Sequence, residues 1–311
     1  MSNEAGASEA RAQAQGAVEV LIGPAGWSYE DWKGVVYPST PPRGFSQLAY
    51  IANYFDTVEI NTTFYRPPAS RMARDWVRKV AHNPRFQFAA KLWQGFTHEG
   101  TGLGSQEEKL FKEGIEPLIS SGKLGALLLQ FPWRFKNEPA SREWLTRLLD
   151  AFLEYPLVVE FRHSSWLRPE TLRFLRERNV GFANIDQPVI GRSIPPTAEV
   201  TAEVAYIRFH GRNYEDWFRE DAGRDARYNY LYSEEELDEW VDRVRDVERK
   251  ARKVFLIYNN HYGGKAVVNA LQMKAKLTGS PVSVPDPLLE AFPSLRPYAS
   301  PTENRQTELP L

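Results

Sequence analysis

The chain reads as an α/β protein built as a single (β/α)8 barrel of the TIM type, and three observations predict it. Eight short apolar runs alternate with amphipathic helical stretches. Alternation of that kind implies a parallel sheet, and eight repeats over about 260 residues match a barrel in both count and length. Four of the runs also end in polar residues two positions apart: Glu59/Asn61, Glu160/Arg162, Asn184/Asp186 and Arg208/His210. Strand side chains alternate faces, so the two members of each pair point the same way. Polar groups aimed in one direction from C-terminal strand ends describe the mouth of a barrel, where such folds keep their chemistry. A doubly wound sheet is the competing arrangement, but no Pro/Gly/Ser-rich linker divides the middle of the chain and no second domain is required.

In chain order the strands are expected at 18–22 (VEVLI), 57–60 (TVEI), 86–91 (FQFAAK), 124–130 (LGALLLQ), 157–161 (LVVEF), 181–185 (GFANI), 205–210 (AYIRFH) and 254–258 (VFLIY). Helices are expected at 45–54, 70–80, 106–120, 141–153, 169–178, 234–250 and 266–277, where apolar residues recur at helical spacing. Ser233 followed by three glutamates predicts an N-cap with acids in the first turn. The stretch after Asp186, QPVIGRSIPPTAEV, shows little helical pattern. Residues 1–16 lack a basic n-region and an apolar h-region and read as a disordered tail, not a secretory signal. Residues 17–278 form the barrel, and 279–311 a Pro-rich extension that wraps it.

Composition narrows the chemistry. The 311 residues are 42% hydrophobic and 25% charged, with a net charge of −1, which gives no global attraction to nucleic acid or an anionic membrane. The absence of cysteine removes disulfides, thiolate metal sites and a thiol nucleophile. No stretch approaches the ~18 apolar residues of a membrane span, so no membrane partner is expected and the expected location is cytoplasmic.

The cluster EFRHSSW sets Glu160 and Arg162 on one face with His163 behind them. A guanidinium lowers the pKa of a neighbouring carboxylate, so Glu160 is expected to stay ionised as a base or an orienting group. The plain alternative is a buried ion pair that only fixes the mouth. His210 is expected to move protons near neutral pH, and Arg208 to clamp a carboxylate or phosphate. Asp186 and Glu59 complete an acidic set that, with Glu160 and His210, could ligate a divalent metal. Against a metal stand Lys91, Arg162 and Arg208, which balance the three acids, and the absence of H-x-H or H-E-x-x-H spacing. No cofactor is therefore expected.

After the last strand, Asn259 and Asn260 precede Gly263, Gly264 and Lys265 at a helix start. A glycine turn, free helix N–H groups and a lysine together suit an anion, and the loops after strands seven and eight are the usual phosphate site of barrels. The first loop carries Trp27 and Tyr29, and the long loop after strand seven carries Trp217, Tyr228, Tyr230 and Tyr232. Such aromatics stack bases or sugar rings, or else merely cap the mouth. Lys91 and Asn61 are expected to touch the ligand.

Eight segments of the chain, GPAGWSYEDWKGVVYP, TVEINTTFYRPP, KLGALLLQFPWRF, VVEFRHSSW, NIDQP, YIRFHGR, RYNYLYSEEELDEW and NNHYGGKAVVNAL, together resemble the YecE-like family, known as domain of unknown function seventy-two. The resemblance covers about residues 18–277 and implies a TIM-barrel-like fold without supplying an activity. Members have been likened in shape to barrel endonucleases, a fold-level analogy; the five histidines here do not reproduce the zinc ligands of those enzymes.

The expectation is thus an enzyme, a hydrolase or isomerase, acting on a phosphate-bearing substrate such as a sugar phosphate, a nucleotide or a nucleic-acid end. Glu160 and His210 would form its acid/base pair, Arg162 and Arg208 its clamps, and Gly264 and Lys265 its phosphate cradle, with Asp186, Glu59 and Asn61 orienting them. The alternatives are a non-catalytic nucleic-acid-binding barrel and a metal-assisted phosphodiester hydrolase.

Overall fold

The computed structural model describes residues 18–217, 219 and 226–301. The expected tail at 1–16, part of the loop after the seventh strand and the last ten residues of the extension lie outside the described residues. Eight parallel strands, β1 (Glu19–Pro24), β2 (Thr57–Ile60), β3 (Gln87–Lys91), β4 (Leu124–Gln130), β5 (Leu157–Glu160), β6 (Gly181–Asp186), β7 (Val204–Phe209) and β8 (Lys253–Tyr258), follow the order β1-β8-β7-β6-β5-β4-β3-β2. The seam between β1 and β2 is joined by a single bridge, Ala25 to Glu59, and by the Gly26 N–H donating to the Glu59 carbonyl at 2.9 Å. A Cβ on Gly23 would lie 1.8 Å from the Thr57 carbonyl oxygen, so this close approach requires glycine.

Helices α1 (Gln47–Ile51), α2 (Thr62–Tyr65), α3 (Ser70–Lys79), α4 (Gln106–Ser120), α5 (Pro139–Ala151), α6 (Pro169–Glu177), α7 (Glu234–Glu248), α8 (Lys265–Thr278) and α9 (Asp286–Ala291) surround the strands. Several start where the sequence supplies a cap. Ser46 and Ser105 accept from backbone N–H groups of α1 and α4, Ser233 and Glu236 form a full capping box on α7, and proline opens α5 and α6. The connection 187–203 carries no helix, in keeping with Pro195 and Pro196 and its lack of apolar periodicity. The first helix is shorter than the expected 45–54, since Ser46 caps its start and leaves Phe45 outside, and Phe45 and Tyr54 pack with Tyr37 and Tyr50 in an aromatic cluster. Beyond Gly279 the chain folds back as α9 and a 3-10 turn, burying Leu288 and Leu295.

Two apolar layers result. The barrel interior holds the small residues Ala25, Ala89, Ala126 and Ala183, and Leu21, Leu128, Val158 and Ile257 fill it together with the rings of Tyr206 and Phe255, stacked at 5.8 Å. The larger layer lies between strands and helices and contains the fully buried Trp32, Trp166 and Trp240. The apolar interior ends where the inward positions turn polar, at Glu59, Lys91, Gln130, Glu160, Arg208 and Asn259, and that change of polarity positions the site.

Candidate active site

Strands β2, β5 and β7 bring their inward polar residues to one point, and Arg208 is the hub. Its Nη1 donates to Glu160 Oε2 and its Nη2 to Glu59 Oε1, both at 2.6 Å. Arg162 Nε lies 2.6 Å from Glu160 Oε1, and the Tyr206 hydroxyl donates to Glu59 Oε2 at 2.9 Å. His210 Nε2 stands 3.5 Å from Glu160 Oε1, while its Nδ1 pairs with Asn259 Nδ2 at 3.0 Å. With the Asn259 amide donating, the ring proton sits on Nε2 and faces Glu160. Burying ions is costly, and here two carboxylates meet two guanidiniums so that the charges cancel.

The neighbours set the protonation states. Burial opposes ionisation of Glu160, but the charges of Arg162 and Arg208 prevail and hold its carboxyl well below the usual range. His210 is pushed down to about 3, first by burial and then by Arg162, so its ring is neutral at physiological pH. Lys91, the last residue of β3, is pushed down to about 7, first by burial and then by the charge of Arg208. The residue is only 8% exposed. Among the described residues no hydrogen bond or ion pair holds its Nζ, which lies 4.1 Å from the Phe64 ring centroid.

Asn184 and Asp186 do not join this group. Ala183 occupies the inward face of β6, so residues one and three positions on face the helices. Asp186 accepts from Arg212 Nε at 2.9 Å and Nη2 at 2.7 Å, from the Tyr232 hydroxyl at 3.1 Å and from Trp240 Nε1 on α7. The Asn184 amide ties down the connection to β7 through Thr197 and Glu199. The expectation that all four polar pairs share one direction is therefore corrected to three, and Asp186 anchors a helix outside the mouth.

Above the network opens a cavity of about 450 Å³. Its floor carries Asn61, Lys91, Gln130, Arg208 and Asn259. Its wall carries Trp27, Tyr29, Tyr65, Trp76, Tyr228 and His261. Tyr29 stacks on His261 at 4.3 Å and its hydroxyl donates to the Ala25 carbonyl at 2.5 Å. Gly26 holds a left-handed φ of 84°, and a Cβ there would meet that hydroxyl at 2.6 Å. Trp27 meets Trp76 edge-on at 6.1 Å. Glu59, Glu160, Arg162 and His210 do not line the cavity and act on it through Arg208, Lys91 and Asn259.

The glycine turn is not an open cradle. The Gly263 N–H donates to Asp31 Oδ2 at 2.6 Å, Lys265 Nζ donates to Asn229 Oδ1, and a Cβ on Gly264 would sit 2.9 Å from Val36. Neither Gly264 nor Lys265 lines the cavity. Asn260, one step from the inward Asn259, faces outward and donates to the Tyr230 carbonyl and to Asn269 Oδ1, both at 2.9 Å. His163 Nδ1 caps the 3-10 turn of Ser164–Trp166 by accepting from the Ser165 N–H at 3.1 Å. Each of these residues is thus tied into the fold, although the buried Asn260 Oδ1 accepts no hydrogen bond among the described residues.

Among the described residues no group of three or more His, Asp or Glu side chains could hold a metal ion, and no helix is long and apolar enough to cross a membrane. Glu59 and Glu160, the two carboxylates bonded to Arg208 on the cavity floor, are taken up by arginines. The wall residues Trp76 and His261 escape sequence reasoning. Trp76 reads as one more apolar position of a helix, and His261 as a loop residue after two asparagines.

Three comparisons bear on this geometry. The family described as "Protein of unknown function DUF72" matches residues 21–291. The UPF0759 protein YunF of Bacillus subtilis (strain 168) is 32% identical over 270 residues, covering 82% of this chain and 93% of its own. Among solved structures, the DUF72 family protein TM1631 of Thermotoga maritima MSB8 is 38% identical with a TM-score of 0.73, covering 84% of this chain and 99% of that one. The DUF72 family protein EF0366 of Enterococcus faecalis V583 is 29% identical with a TM-score of 0.74, covering 83% and 95%.

Proposed function

We propose, for a chain that belongs to the DUF72 family of proteins of unknown function, that the mouth cavity is an active site whose working group is Lys91. One observation carries the reading: a buried lysine amine, without an ion-pair partner among the described residues, opens onto the polar floor of a cavity with an aromatic wall. An amine that is half neutral near pH 7 accepts protons there, as ordinary lysines cannot. The Glu59–Arg208–Glu160 network supplies a fixed field, and the neutral His210 orients Asn259 toward the cavity.

A cavity of about 450 Å³ has the size of a small-molecule site. Its amides suit hydroxyl and carbonyl groups, and its aromatic faces suit a sugar or other ring. The substrate class is accordingly a small hydroxylated carbonyl compound or sugar. A phosphate group is not required, because the glycine turn expected to cradle one is filled by Asp31. Strand gripping by arginines is disfavoured too, since Arg162, Arg208 and Arg212 are committed to carboxylates.

The test is a panel of small sugars and hydroxylated carbonyl compounds, followed by NMR for exchange, isomerisation or cleavage. Turnover is expected to rise with pH through about 7, as the amine becomes neutral, and to vanish in Lys91→Met. Full turnover in that variant removes the proposal.

A further inference from the structure

We infer that Lys91 is a covalent nucleophile, forming an imine between its Nζ and the carbonyl carbon of a small hydroxylated aldehyde or ketone bound in the mouth cavity. This rests on the reading of the cavity as an active site and names the chemistry within it. The geometry carries it. Lys91 ends β3 and lines the cavity, its stem is enclosed, and its Nζ lies over the Phe64 ring. Among the described residues no carboxylate closes on the amine to keep it an ammonium ion, although Glu59 and Glu160 lie close enough to act on it through space. Both are instead held by Arg208 at 2.6 Å. The charged groups acting on it are thus Glu59 and Glu160, opposed by Arg162 and Arg208, with His98 nearby in the loop after β3.

The step balances as follows. The Nζ lone pair bonds to the carbonyl carbon while the C=O π pair moves to oxygen, and one N–H proton passes to that oxygen to give a carbinolamine. The nitrogen lone pair then expels the hydroxyl, which takes one proton from solvent and leaves as water, giving a protonated imine. That cation sits in the same desolvated place beside Arg208, so it draws electrons strongly from the adjacent C–H or C–C bond. Asn61, Gln130 and Asn259 would hold the substrate's hydroxyls, and the Trp27–Tyr29 wall its carbon face.

The experiment uses the full chain with D-glyceraldehyde and sodium cyanoborohydride at pH 7, followed by peptide mapping by mass spectrometry. At that pH an amine of pKa about 7 has about 10³ times the free-base fraction of an ordinary surface lysine. Lower basicity costs it some nucleophilicity, so the expected result is a reduced adduct on Lys91 in at least about tenfold excess over any other lysine. The site of the adduct is read on the unaltered protein, and Lys91→Met serves only as the control that lacks it. Adducts confined to surface lysines overturn the inference. If turnover in the panel nevertheless depends on Lys91, the residue is a base and the active-site reading stands. If Lys91 also reacts with acetic anhydride no faster than surface lysines, both fall.

Discussion

At the scale of single residues, the mouth treats its two kinds of cation differently. Arg208 has a planar fork that satisfies two carboxylates at once, and it stays charged. Lys91 offers a point charge over the Phe64 ring with no hydrogen-bonded or ion-paired partner among the described residues, so burial outweighs the opposing pull of Glu59 and Glu160. The consequence for stability has a definite sign. Between about 7 and the ordinary 10.5, the unfolded chain binds a proton at Lys91 that the folded chain does not, so this residue makes stability rise with pH across that window. Below it both states are protonated and the full penalty stands. Lys91→Met is therefore expected to stabilise the fold at pH 6, on the order of a few kcal/mol, with the gain shrinking toward pH 10. Urea midpoints at the two pH values check it, and a gain that is equal at both counts against the buried ammonium. Glu160→Gln should do the reverse, costing about 3–5 kcal/mol by leaving Arg162 and Arg208 short of a buried counter-charge.

At the scale of elements, the informative case is β6. Its sequence GFANID places apolar residues on both faces, as central parallel strands do, so period-two alternation gives no phase. The polar pair then looks identical to those of β2, β5 and β7. What orients it is tertiary: Tyr206 and Phe255 fill the interior against Ala183, while Trp240, Tyr232 and Arg212 arrive from distant segments to satisfy Asp186 on the other side. The reading of the glycine turn as a phosphate cradle fails for the same reason, since only the folded chain brings Asp31 onto the Gly263 N–H. Strand existence, the Ser233 cap and the convergence of Glu59, Glu160, Arg208 and His210 were legible, because they depend on local pattern and strand-end position. Asp186→Ala is expected to cost about 1–3 kcal/mol through the orphaned Trp240 and Tyr232 donors. Hydrogen exchange should quicken in α7 and around Arg212 while β2 and β5 stay protected. Loss of protection in β2 and β5 instead would place Asp186 in the mouth after all.

At the scale of the whole molecule, the buried mouth makes the barrel sensitive to acid in a predictable order. His210 has a folded value near 3 against an ordinary 6.5, so the unfolded chain gains a proton first as pH falls, and stability declines through that interval. His98, pushed down to about 4 by burial and by Lys91, adds a second contribution of the same sign. Glu160 follows below its ordinary 4.5, where the unfolded carboxyl is protonated and the folded one remains ionised beside its arginines. Together with Lys91, these groups make stability climb from acid toward alkaline pH. The histidine share is separable, because His210→Gln removes one titrating group while keeping an amide able to meet Asn259. Its curve of unfolding free energy between pH 6 and 4 should be shallower than the parent's by about 1.4 kcal/mol per pH unit, the slope of one proton. A slope unchanged by the substitution would mean that His210 is protonated in the folded state, and the neutral, orienting role assigned to it would fail with that result.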